Sequence, residues 1–163
     1  MKKTNVLRLL DKEKIPYKTF QYDYDPDYGS AKAIAEENGI SLDQVYKTLV
    51  GKGNNTGVLV AVIPSNNTLD FKALCKAAGN KKMTLVPVKE LQGLTGYIRG
   101  GCSPMGMKKE YPVFLDASMD TQDLIYVNAG QRGLLVGITP TDLQLVTKAI
   151  VASLCPPSEW FFI

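Results

Sequence analysis

The chain of 163 residues contains no histidine. That absence removes Ser-His-Asp and Cys-His catalysis, acid–base chemistry by imidazole and every His-containing zinc site. Cysteine is scarce: Cys75, Cys102 and Cys155 are odd in number, far apart and form no CxxC pair. Such spacing argues against a disulfide frame and fits reduced thiols in a cytosolic protein. No apolar run approaches the roughly 18 residues of a membrane helix. The opening MKKTNVLRLLDKEK is broken by Arg8, Asp11 and Lys12, so it reads as an amphipathic helix rather than a signal peptide. The cytoplasm is the expected location. Charge of either sign is in modest excess only, 19 basic against 16 acidic residues for a net +3. That is too little for a protein gripping a long nucleic-acid backbone, and it is compatible with contact to one end of an RNA.

What is present suits one domain, residues 1–163, with a single sizeable core. Residues 7–14 end a first helix before Pro16, and YKTFQY (17–22) reads as a strand. An acidic loop, DYDPDYGS, follows. Its Asp23, Asp25 and Asp27 lack the glycine and distant glutamate of a calcium loop, so a solvated loop is expected and no metal or cofactor is. Ser30 can cap a helix through Asn38 that Gly39 closes. VYKTLV is a strand, and VLVAVIP (58–64) is apolar on both faces, hence central. Asp70 is placed as an N-cap, with Leu69 and Leu74 as a hydrophobic staple and Gly79 as a stop. MTLVPV is a short strand and 88–92 one helical turn. Three further strands are YPVFLD, LIYVNAG and LLVGI, and a last helix spans about Thr141 to Leu154. The tail SEWFFI is expected to pack on the domain, because exposed aromatic rings are costly. Without regular β-α-β alternation, the pattern argues for α+β: a mixed, partly closed sheet of about seven strands with helices outside.

Three segments could carry chemistry. Lys47 lies mid-strand and shares a face with Val45 and Leu49. Its stem could lie on apolar surface with the ammonium in water, or it could point into a pocket and meet an oxygen. TGYIRGGCSPMG (95–106) has glycines at 96, 100, 101 and 106. Such a backbone can approach a ligand and present N–H groups to a phosphate or an oxyanion, or it can be a wide turn. It is neither a P-loop nor a strand-to-helix GxGxxG. VNAGQRG (127–133) reads as hairpin chemistry. Cys102, with no histidine to activate it, is expected to be a small half-buried thiol rather than a nucleophile.

Together VYKTLV, GYIRGGCSPMGMKK and VNAGQRG occur in the order and spacing of the YbaK/EbsC proteins, aminoacyl-tRNA deacylases that edit misacylated tRNA(Pro). LLDKEKIPYKTFQYDYDP also resembles that family's opening. The resemblance implies a compact α+β domain around a pocket for the 3′-terminal adenosine and its aminoacyl group. It implies Lys47 as the central lysine and Gly100 and Gly101 as the pair whose amides hold the ester carbonyl. Tyr22, Tyr28, Thr48, Arg99, Ser103 and Gly130 would contact substrate. Implied partners are the tRNA acceptor end and prolyl-tRNA synthetase.

The implied activity is trans-editing of Cys-tRNA(Pro), by orientation, oxyanion stabilisation and attack of the substrate's own thiol. Alternatives are a deacylase for Ala-tRNA or another small aminoacyl ester using water, and a non-catalytic module that binds tRNA ends or a synthetase. One departure stands out: many relatives carry an acidic residue two places after the second glycine of AG.RG, where this chain has Leu135.

Overall fold

The structure, a computed structural model, describes residues 3–24 and 31–156, side chains 31–33 and 37 excepted. Ser30, Asp25, Asp27, Tyr28 and the SEWFFI tail lie outside the described residues. Thr4 caps the first helix α1 (Asn5–Lys12): its Oγ1 accepts from the Leu7 N–H and donates to the Ala129 carbonyl at 2.6 Å. The buried Val6, Leu7 and Leu10 form the inner stripe of α1 at helical spacing. Strand β1 (Lys18–Gln21) and helix α2 (Ala31–Asn38) follow.

Strands β2 (Tyr46–Gly53) and β3 (Gly57–Pro64) form a long antiparallel hairpin, Lys47 opposite Ile63 and Leu49 opposite Ala61. Helix α3 (Phe71–Ala78) begins at Asp70, whose carboxylate accepts from the Ala73 N–H, and stops at the left-handed Gly79. Strand β4 (Met83–Leu85) leads into α4 (Val88–Thr95), two turns long rather than one and closed by Gly96 at φ +85°. Strands β5 (Val113–Asp116), β6 (Ile125–Asn128) and β7 (Leu134–Ile138) come next.

The end of the chain differs from the sequence expectation. Helix α5 (Pro140–Thr147) stops well short of residue 154, at Lys148, which takes a left-handed φ of 56°. The β-branched Ile150 and Val151 then enter an eighth strand, β8 (Ile150–Ala152), parallel to β5. Among the described residues the strands number eight, in two sheets ordered β1-β7-β6 and β4-β2-β3-β5-β8. A parallel bridge between Val45 and Tyr126 joins the two sheets, so the β-layer is partly closed.

Two apolar clusters occupy opposite faces of the larger sheet. Tyr46, Val60, Val62, Val113 and Leu115 pack with α1 and with Val127, Leu134 and Val136 of the smaller sheet. Leu49, Leu59, Ala61, Ile63 and Phe114 pack with Leu74 of α3 and with Leu154. Register assigns Lys47 to this second face, because it lies opposite Ile63 and two residues from Leu49. The result is an α+β arrangement with helices on the outside.

Candidate active site

The Val45–Tyr126 bridge sets the geometry. Two residues further along each of these parallel strands lie Lys47 and Asn128, on the same side of the joined sheets. Tyr126 shares that side; its ring meets Phe20 edge-on, 5.0 Å between centroids. Leu135, opposite both Phe20 and Asn128, is 5% exposed and continues the apolar floor.

Asn128 is the hub. Its Nδ2 donates to the carbonyls of Gly100, at 2.9 Å, and Gln131, while its Oδ1 accepts from the N–H groups of Gly130 and Gln131. One side chain therefore binds the 128–133 turn to the glycine-rich loop. Sequence reasoning missed it, although an asparagine followed by Ala-Gly at a strand end is the signal of an Asx turn.

Arg132 adds a second tie, Nε donating to the Arg99 carbonyl at 2.8 Å with the guanidinium stacked 4.6 Å from the centre of the Tyr24 ring. Tyr24 in turn covers Gly100, where a Cβ would come within 2.6 Å of its ring. The Tyr22 phenol is shifted upward by burial, an effect opposed by the Gly133 backbone and the Asn128 side chain beside it.

The glycine pair divides its roles. The Gly101 N–H donates to the Ile98 carbonyl at 2.9 Å, closing a turn whose third residue, Gly100, has the φ of +85° that a type II turn requires. Gly101 is buried and its amide is engaged; Gly100 is exposed, and its N–H meets no acceptor among the described residues. In a trans peptide the Gly100 N–H points away from the Arg99 carbonyl, hence away from Arg132. Of the two amides, the one left without an acceptor among the described residues is therefore that of Gly100.

The loop is anchored from below. The Tyr97 hydroxyl donates to the Met105 carbonyl at 2.6 Å, and burial holds this phenol neutral by pushing its pKa up to about 12. Ser103 is fully buried, its Oγ accepting from the Met105 N–H, so it braces the loop from inside. Gly130 admits Val6 and Tyr97, which a Cβ would approach at 3.1 and 3.2 Å. Thr48 points to the opposite face from Lys47, its buried Oγ1 without a partner among the described residues. The Arg99 side chain is exposed.

Lys47 is half-buried. Beside it stands Cys155, whose thiol is pushed up to about 12, first by burial and then by Asp116, with Lys47 opposing. The buried Asp116 accepts from the Ser118 and Leu154 N–H groups and so holds the C-terminal segment over this face. Cys102, itself pushed up to about 11 by burial, offers no thiolate near neutral pH. Among the described residues no three His, Cys, Asp or Glu side chains gather as a metal site would need.

A family model described as an aminoacyl-tRNA editing domain matches residues 25–145. The chain is 43% identical over 152 residues to a protein of Enterococcus faecalis named "Putative Cys-tRNA(Pro)/Cys-tRNA(Cys) deacylase EbsC", covering 93% of each. It is 25% identical over 108 residues to a proline–tRNA ligase of Thermosipho africanus, of which it spans 19%. The fold superposes, at a TM-score of 0.81 and 24% identity, on the structure titled "Crystal structure of a putative trans-editing enzyme for prolyl tRNA synthetase", covering 94% of this chain and 96% of that one. The chain belongs to the YbaK/EbsC family of aminoacyl-tRNA editing domains.

Proposed function

We propose that this protein is a trans-editing deacylase that cleaves the aminoacyl ester of Cys-tRNA(Pro). The observation that carries the reading is the Gly100 N–H, without an acceptor among the described residues, in a loop that Asn128 ties through the Gly100 carbonyl to the side of the joined sheets to which Lys47 belongs. An ester to a ribose hydroxyl is already activated. Orientation and stabilisation of the developing oxyanion then suffice, without a protein nucleophile.

In this mechanism the Gly100 N–H donates to the ester carbonyl oxygen as it gains charge. The Lys47 ammonium neutralises a neighbouring oxygen of the terminal nucleotide, and Tyr22 lines the pocket with Arg99 at its rim. The substrate's sulfur gives up its proton and bonds to its own carbonyl carbon, the carbon–oxygen bond to the ribose breaks, and the leaving ribose oxygen takes up the equivalent of that proton to give a free hydroxyl and a thiolactone. Ser103 and Gly130 act by holding the backbone in place, and Tyr28 completes the set of substrate contacts. Prolyl-tRNA synthetase is the proposed partner that selects the tRNA, and the cytoplasm the proposed compartment; no helix among the described residues is long and apolar enough to cross a membrane.

Leu135 speaks for a second reading. A buried leucine on the site side supplies an apolar floor that suits a small side chain such as alanine, with an ordered water as nucleophile. Incubation of the wild-type protein and Lys47→Ala with Cys-, Ala- and Pro-tRNA(Pro) separates the two. Selective, Lys47-dependent loss of cysteine is the expected result. Loss mainly of alanine would replace the thiol route by water attack, and no loss from any substrate by a folded protein would sink the deacylase reading.

A further inference from the structure

Away from Lys47 and Gly100, the outer surface of α3 and the turn into β4 form a groove of about 570 Å³. Lys72 and Lys76, one helical turn apart on α3, face Lys81 and Lys82 across it, and Phe71 stands at its end, 42% exposed. From Lys52 to Lys89 the chain carries six lysines and a single acidic residue, Asp70, whose carboxylate is occupied by the Ala73 N–H. The ion pairs among the described residues, Lys3–Asp11 and Lys148–Glu110, leave every groove lysine unpaired. Four like charges line one hollow of a protein whose net charge is +3.

The groove is also built. Asn54 Oδ1 accepts from the N–H groups of Lys81 and Lys82, and the buried Asn80 accepts from those of Asn55 and Thr56. The lysine-bearing turn is thus tied to the β2–β3 hairpin.

We propose that this groove binds the phosphate backbone of the RNA a few nucleotides from its aminoacylated end. The assignment of that RNA as tRNA rests on the deacylase reading. Lysine side chains spaced around a groove with one exposed ring suit phosphates and a stacked base. Position supports the same occupant. Gly53, against which Asn80 packs, lies six residues beyond Lys47 on the same face of β2. At ~3.3 Å per residue that is about 20 Å, roughly six stacked nucleotides at ~3.4 Å each. A terminal adenosine at Lys47 would bring the junction of the unpaired 3′ end and the acceptor helix to the groove.

The test is the triple variant Lys72→Ala/Lys76→Ala/Lys81→Ala, with a triple Lys→Arg control. Two quantities are read: anisotropy binding of uncharged tRNA(Pro) across a salt series, and deacylation of full-length aminoacyl-tRNA against a short aminoacylated 3′ fragment. Each lost contact lowers the slope of log K against log salt by about 0.7–0.9, so the three substitutions together are expected to lower it by about 2–3. KM for full-length substrate rises at least tenfold with kcat unchanged, the short fragment is unaffected, and the arginine control retains binding. Unchanged slope and KM would overturn the proposal. So would loss of binding to prolyl-tRNA synthetase with RNA binding intact, which would make the groove a protein surface. Wild-type protein that binds RNA through these lysines yet deacylates nothing would uphold the groove and sink only the deacylase reading.

Discussion

The Asn128 side chain makes four hydrogen bonds across two loops, and no other hydrogen bond among the described residues joins the Gly100 carbonyl to the 128–133 turn. Asn128→Ala is expected to lower stability by about 2 kcal/mol, the cost of stranding several polar groups. Deacylation should fall at least tenfold because the Gly100 amide loses its orientation; a chemical unfolding curve and a single-turnover assay check the two halves. Cys102 gives a prediction of the opposite kind. Cys102→Ala should deacylate as well as wild type, since its thiol, raised to about 11, is protonated at neutral pH. The same shift has a stability consequence. A thiol with a folded pKa above its unfolded value holds its proton longer in the fold, so the unfolded chain releases protons first as pH rises. Its contribution is intact below about pH 9 and is lost as pH climbs to 11, with Cys155 and Tyr97 acting in the same direction. Denaturant midpoints followed across that window should decline, and less steeply in Cys102→Ala.

At the scale of elements, two glycines lie in neighbouring segments and behave oppositely. Gly93, inside α4, would meet nothing within 4 Å with a Cβ. Gly93→Ala is expected to stabilise by about 0.5–1 kcal/mol, through helix propensity and a less disordered unfolded chain. Gly100 holds φ +85° beneath the Tyr24 ring. Gly100→Ala should cost about 1–3 kcal/mol of backbone strain and push Tyr24 off its seat under Arg132. Thermal melts of the pair should move apart, and only the Gly100 variant should lose activity.

Across the whole molecule, Asp116 joins parts of the chain that are distant in sequence. It ends β5, and its carboxylate holds the Leu154 N–H at 2.8 Å and the Ser118 N–H at 3.2 Å, in a setting only 5% exposed. Asp116→Ala leaves the buried Leu154 N–H without its acceptor, removes the bond to the more exposed Ser118 N–H, and is expected to cost about 1–3 kcal/mol. Because the C-terminal segment lies over the face that carries Lys47, the loss should extend to deacylation even though Asp116 is assigned no contact with substrate. Guanidinium unfolding measured beside activity in mild conditions distinguishes this from simple unfolding: activity should drop while the native fraction is still high.

Local chemistry was legible in the linear chain. The Asp70 cap and Gly79 stop bound α3, the doubly apolar VLVAVIP is the centre of the larger sheet, and alternation assigned Lys47 to the face of Leu49, all properties that neighbours along the backbone dictate. Even there, α5 ended early and β8 took its place, because pairing with β5 outweighs helix propensity at Ile150 and Val151. What the chain could not disclose are relations between segments far apart in sequence. The Val45–Tyr126 bridge sets Lys47 on the side of Asn128, Asn128 reaches Gly100, and Lys81 and Lys82 come to face α3 through bonds to Asn54. Composition and periodicity carry residue preferences and faces; which face meets which is decided by burial and hydrogen bonding in the folded chain, and the candidate site consists almost wholly of such meetings.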